Sequence, residues 1–137
     1  MKGKNQKIEM DKIEFFMVMN PPTITQQSHR FKGKTMYEDQ RLRNARMKIR
    51  DHLIPYVPPD KLDGPLRLTV KWCFPLINGK TDGQYKHTKP DTDNLNKMLK
   101  DEMEHLGFYV NDSRIASEII EKFWAEIPGI YVKLEKL

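Results

Sequence analysis

Asp91, Asp93, Asn94 and Lys97, answered further along by Asp112, are the residues of this chain whose types and spacing can do chemistry. They stand in the run Lys89-Pro90-Asp91-Thr92-Asp93-Asn94-Leu95-Asn96-Lys97, a D-x-D-N-x-x-K pattern at the start of a predicted helix. Carboxylates that share one point supply the oxygen donors a hard divalent cation takes, and a lysine beside them offsets charge on a phosphate. On an otherwise basic chain, this acidic knot points to a metal-dependent site acting on phosphates. Local geometry predicts convergence. Pro90 biases Lys89 toward extended backbone. In an extended segment residues i and i+2 project to one side, so Asp91 and Asp93 are expected to face one point. A helix over 94–106, at roughly 1.5 Å per residue, rises about 20 Å. A return over 107–112, extended at roughly 3.3 Å per residue, covers about 20 Å as well. Asp112 is then expected to close on Asp93.

Each residue also has a plainer use. Asp93 stands where a helix N-cap belongs, and Asp is a preferred cap. Lys97 lies four residues on and can form an ordinary i, i+4 pair. Asp101 continues that face and can be merely solvated, and Asp112 can open a turn with Asn111. Together these uses leave Asp91 without a structural task and do not explain three acids beside a lysine. No Cys/His cluster fits zinc, no Gly-rich loop fits a nucleotide phosphate, and His29, His52, His87 and His105 are scattered. His87, in the loop before the acids, is the best placed of the four.

The elements that must position these groups can be read from periodicity. Residues 1–11 are Lys-rich and polar and read as a mobile basic arm. A first strand over 13–19 ends before Asn20-Pro21-Pro22. Residues 23–34 fit either a loop or a ragged second strand. Leu42, Ala45, Ile49 and Leu53 recur with helical spacing, which predicts a helix over 35–53 that Pro55, Pro58 and Pro59 stop. Leu66, Leu68, Val70, Trp72, Phe74 and Leu76 alternate with other residues, a period-two strand over 66–76. Residues 77–89 read as a loop. Leu95, Met98, Leu99, Met103 and Leu106 form the buried stripe of the second helix, with Gly107 past its end. Strands over 115–124 and 130–134 are expected to make a hairpin through Glu126-Ile127-Pro128-Gly129. The order β-α-β-α-β-β predicts a single α+β domain, a mixed sheet with two main helices.

The chain has 137 residues, 38% of them hydrophobic and 31% charged, with a formal net charge of +5. That is enough chain for one real core. No apolar run reaches the roughly 20 residues that span a bilayer, so no membrane partner is expected. The single Cys73 rules out an internal disulfide, and a reducing cytoplasm is the default compartment.

Asp91-x-Asp93-Asn94-x-x-Lys97, followed by Asp101 and by Asp112 before a strand, closely resembles the RusA family of Holliday junction resolvases, found largely in bacteria and their prophages. The resemblance extends to the short first strand followed by Pro and basic residues, the basic helix, the long alternating strand and the closing Glu-Lys-Phe-Trp strand. It implies a Mg²⁺-dependent homodimeric endonuclease, with Mn²⁺ able to substitute, that cuts four-way DNA junctions by paired symmetric nicks. It needs no small-molecule cofactor. By position, Asp91, Asp93 and Asp112 match the family's essential carboxylates and metal ligands, and Lys97 its essential lysine. Asp101 matches another frequently acidic position. Many members carry two adjacent acids where this chain has Asn111-Asp112, which makes Asn111 a weaker supporting group.

The resemblance also offers a use for the basic residues. Lys80, Lys86 and Lys89 flank the acids, and Arg30, Lys32, Lys34, Arg43 and Arg46 can track phosphates. Phe108, Tyr109 and Val110 are candidates for a dimer contact, with plain core packing as the alternative. Two other functional readings remain open from sequence: a catalytically silent nucleic-acid-binding protein of the same fold, and a nuclease acting on other branched or single-stranded DNA.

Overall fold

A computed structural model describes residues 11–25, 31–32, 35–36 and 40–137. The arm expected over 1–11 therefore lies outside the described residues but for Asp11. Strand β1 is Lys12–Val18, and two short strands, β2 (Phe31–Lys32) and β3 (Thr35–Met36), pair antiparallel. Helix α1 is Gln40–Leu53, followed by a 3₁₀ turn over Ile54–Tyr56. Strand β4 is Leu66–Pro75 and helix α2 is Thr92–Leu106. A 3₁₀ turn, Asp112–Arg114, leads into β5 (Ile115–Ala125) and β6 (Gly129–Lys136). The main elements follow the expected order in an α+β arrangement. The largest shift is in α1, which begins at Gln40 rather than 35, with Thr35 and Met36 paired to the preceding strand.

The main sheet has the order β1-β6-β4-β5. Pairs β1–β6 and β6–β4 are antiparallel, and β4–β5 is parallel, so the sheet is mixed as expected. The expected hairpin between the last two strands does not form. β4 lies between them, and the connection over 126–128 crosses its end instead of turning directly back. Burial accounts for this. Leu66, Leu68, Val70 and Trp72 are fully buried, and a strand so apolar is favoured at the sheet's centre, with a neighbour on each side. Gly129 makes the crossing possible, since a Cβ there would meet the Phe16 ring at 2.3 Å and the Met17 carbonyl oxygen at 2.5 Å.

Both helices cover one face of the sheet. Leu42, Ile49 and Leu53 of α1 and Leu95, Met98, Leu99 and Met103 of α2 join one core with the buried rows of β1, β4 and β6. The opposite face is polar: Tyr131 donates to Glu14 at 2.5 Å, and the Lys71 ammonium lies 5.3 Å from the Tyr131 ring centre. Among the described residues, no helix is long and apolar enough to cross a membrane.

β4, α2 and β5 form a β-α-β unit, the usual way to join parallel neighbours. The acidic motif occupies its crossover. Two linked side-chain hydrogen bonds fix α2 in place. Trp72 of β4 donates its indole N–H to Asn96 at 2.7 Å, and Asn96, 1% exposed, donates to Glu118 of β5 at 2.6 Å. From α1, Arg50 donates to the buried Glu102 at 2.7 Å.

Candidate active site

The helix that carries the motif starts two residues earlier than expected, and this changes the role of both first acids. Asp91, not Asp93, is the N-cap residue of α2, with extended backbone and no side-chain capping hydrogen bond. Its carboxylate is exposed and spent on no cap. Asp93 lies inside the first turn and is exposed as well. The two are therefore not successive outward positions of an extended segment. Both sit where the helix macrodipole favours negative charge.

Asp93, Lys97 and Asp101 follow at intervals of four along one face of α2. Lys97 reaches Asp101 at 3.9 Å across solvent-exposed side chains, the ordinary pair anticipated for that spacing. Burial pushes the Asp101 carboxyl above the usual aspartate range, Lys97 and Arg46 pull it back, and Asp112 pushes it further up. Arg46 thus sits near Asp101 rather than only facing solvent.

Asp112 precedes β5, as expected, and lies against the second half of α2. Its backbone N–H donates to the Glu104 carboxylate at 2.9 Å, beside the last turns of α2. Asn111 caps the following 3₁₀ turn by accepting the Ser113 N–H at 2.8 Å. The return from Gly107 is not a straight extended run. Leu62 donates its N–H to the Phe108 carbonyl, and the Tyr109 hydroxyl donates to the Lys100 carbonyl, which folds the segment inward. Asp112 then precedes Ile115 at the start of β5, while Asp91 lies against Lys122 toward its other end. The strand from Ile115 to Lys122, at roughly 3.3 Å per residue, runs about 23 Å. Asp112 therefore lies beside the C-terminal half of α2, at the end away from the Asp91 N-cap. Among the described residues, no three His, Cys, Asp or Glu side chains gather closely enough to hold a metal ion.

The donor chemistry still fits a divalent cation of the Mg²⁺ type. The groups are hard oxygens, and Asp91 and Asp93 are open to water. Mg²⁺ is commonly held by one or two carboxylates, with water and substrate phosphate completing its shell. An open pair is sufficient for that.

Other expected contacts sort differently. Lys86 is removed from the phosphate-binding set: it is 8% exposed, its ammonium donates to the Lys89 carbonyl at 2.7 Å, and it lies 4.5 Å from the Trp124 ring centre. Lys89 and Arg43 are exposed, Lys80 and Arg46 half-buried. Arg30 and Lys34 lie outside the described residues, as does the Lys32 side chain. Phe108 and Tyr109 are fully buried core residues and leave the list of dimer contacts, because they plug the space beneath α2. Val110 is exposed.

Comparison with known proteins completes this picture. Residues 19–135 match the family described as endodeoxyribonuclease RusA. This chain belongs to the RusA family. It is 34% identical over 109 residues to the crossover junction endodeoxyribonuclease rusA of Lactococcus phage r1t, covering 76% of this chain and 82% of that protein. It is also 29% identical over 91 residues to the uncharacterized protein YqaN of Bacillus subtilis strain 168, covering 58% of this chain and 63% of YqaN.

Within this RusA-family fold, one residue at the site escaped the sequence reading. Lys122 occupies the row of β5 that also carries Ile120 and Trp124, both packed against or within the core. A lysine in an apolar row at period two was the available signal.

Proposed function

We propose that this chain is a structure-selective endodeoxyribonuclease that resolves four-way DNA junctions by paired symmetric nicks, in the cytoplasm and with Mg²⁺ (or Mn²⁺) as its cation. The observation that carries the reading is Asp91: an N-cap residue whose carboxylate makes no cap, in the motif of a RusA-family chain. Asp91, Asp93 and Asp112 are the residues that would hold the cation, which supplies an activated water and charge stabilisation at the leaving oxygen. Lys97 offsets charge on the scissile phosphate or orients the water. Lys80, Lys89 and Arg43 contact the flanking backbone, and Asn111 supports Asp112 by holding its turn.

A homodimer serves this chemistry twice over. A four-way junction has approximate two-fold symmetry, so a C2 pair presents two sites to opposed strands. The two acidic ends of α2 are also separated within one chain, and a two-fold axis can set the Asp112 end of one copy beside the Asp91 end of the other. That same separation favours a second reading, a nucleic-acid-binding protein without catalysis.

One experiment decides between them. A labelled four-way junction is incubated with the protein across a Mg²⁺ titration, beside linear duplex and a flap. Asp91→Asn and Asp112→Asn variants are then tested singly and mixed after subunit exchange. Paired cuts by the wild type, none by either variant and recovered cutting by the mixture support the dimeric nuclease. Metal-independent binding without cuts supports the silent protein. Preferential cutting of the flap moves the activity to another branched substrate.

A further inference from the structure

The segment that delivers Asp91 is tied down by two lysines, and neither has a place in the chemistry above. Residues 83–86 run along the outer edge of β5. Gly83 donates its N–H to the Trp124 carbonyl, Trp124 donates to the Gln84 carbonyl, and Lys86 donates to the Lys122 carbonyl, at 2.8, 2.8 and 3.0 Å. The chain then leaves the sheet for five residues before α2 begins. Over that stretch its backbone acceptors are met by ammonium groups. Lys122 donates to the Thr88 carbonyl at 2.5 Å and to the Pro90 carbonyl at 2.6 Å. Lys86 donates to the Thr88 hydroxyl at 2.5 Å and to the Lys89 carbonyl at 2.7 Å. Three successive residues, the last adjoining Asp91, are thus held from below.

Such an arrangement has a cost that calls for a return. Charge-assisted hydrogen bonds are stronger than neutral ones, yet burial disfavours both ammonium groups, and Lys122 further disfavours that of Lys86. The Phe74 and Trp124 rings, 5.1 and 4.5 Å from the Lys86 ammonium, offset part of that cost. A loop that needed only to be closed could use water for its carbonyls. Two cations concentrated under one tripeptide fix its position more tightly than closure requires, and the group placed by that tripeptide is the Asp91 carboxylate.

We propose that Lys122, backed by Lys86, is a positioning residue for Asp91: its ammonium clamps the Thr88 and Pro90 carbonyls and thereby aims the Asp91 carboxylate. This rests on the nuclease reading for its catalytic consequence, but not for its structural one. The charge of Lys122 alone would act the opposite way, because a cation near Asp91 opposes metal binding. Geometry and charge therefore give opposite signs.

The test uses the full chain with Lys122→Met, which keeps length and removes the ammonium, and Lys122→Arg, which can still donate to two carbonyls. Single-turnover cleavage of a four-way junction is measured across Mg²⁺ concentrations, with junction affinity measured separately without metal. For Lys122→Met the saturating rate should fall about 10- to 100-fold, the scale of a misplaced catalytic group. Half-maximal Mg²⁺ should stay unchanged or fall, and junction affinity should hold within about twofold. Lys122→Arg should recover most of the rate. A Lys122→Met rate within twofold of wild type overturns the proposal. Rate and affinity falling together overturn it too, by making Lys122 a phosphate contact. Amide hydrogen exchange at Leu95, whose N–H donates to the Asp91 carbonyl at 3.1 Å, provides the second measurement and does not depend on activity. It should speed up in Lys122→Met while core amides keep their protection. Unchanged exchange there refutes the clamp, even if the wild type cuts nothing and the nuclease reading itself has failed.

Discussion

The two ends of α2 treat their acids in opposite ways. At the N-terminal end, Asp91 and Asp93 are exposed, the macrodipole favours their charge, and lysines brace the backbone that leads to them. At the C-terminal end, Asp101, Glu102 and Glu104 face the unfavourable pole of the same dipole and are compensated one by one. Glu102 is bound by Arg50, Asp101 is approached by Lys97 and Arg46, and Glu104 accepts the Asp112 N–H. The first end holds carboxylates free for a ligand. The second holds carboxylates engaged by the protein, while Asp112 is tied there through its backbone N–H alone. One helix thus presents an open acidic end and an end whose own acids, Asp101, Glu102 and Glu104, are already partnered, with Asp112 beside it.

Asparagine substitution at Asp91, Asp93 or Asp112 should have the largest effect, reducing junction cutting below detection while leaving binding intact or tighter. A nicking assay and a gel-shift titration on the same preparations check this. Undiminished cutting by Asp112→Asn would break the comparison outright, by leaving the first end as the whole site. Lys97→Ala stands at the junction of the two ends and should slow cleavage by ~10², the scale of a lost preorganised electrostatic stabiliser. Single-turnover rates against binding affinity separate that role from a simple phosphate contact, which would weaken binding alone.

Stability tests sharpen the second half. Arg50→Met leaves the buried Glu102 without its partner and should lower folding stability by about 2 kcal/mol, read from the urea midpoint. Asn96→Ala removes the acceptor of Trp72 and a donor to Glu118, and should cost about 1–3 kcal/mol by the same measurement. The smallest effect concerns Asp101, whose folded carboxyl is raised, chiefly by burial. A raised carboxyl binds more protons folded than unfolded, so its contribution is present below the unfolded value and lost as pH rises through the folded one. Without Mg²⁺, Asp101→Asn should therefore be slightly more stable than wild type at pH 7. The difference should vanish below the ordinary aspartate range. Urea midpoints across pH 3–7 would show whether the gap closes.

Much of this protein was legible from local pattern. The period-two alternation of β4 and the apolar stripes of both helices marked the core face correctly, because burial imposes those periods on any sequence that folds this way. The D-x-D-N-x-x-K motif was equally legible, since a helix start and its acids are neighbours along the chain. Lys86 and Lys122 were not. In sequence Lys122 shows only as a lysine in an apolar row and Lys86 only as a cation before the acids, and their shared task exists only where a loop is folded against a strand edge.

The sequence by itself determined the residue chemistry, the family and the elements, all of which rest on contacts within a few turns or on matching positions. Tertiary structure alone decided where the elements' ends lie. Whether the return from Gly107 runs straight or folds inward is set by Leu62 and Tyr109. Whether the last two strands touch is set by the burial β4 demands between them. These long-range contacts put Asp112 and Asp91 at opposite ends of one unit, since a parallel β-α-β crossover must start at one end of the sheet and finish at the other.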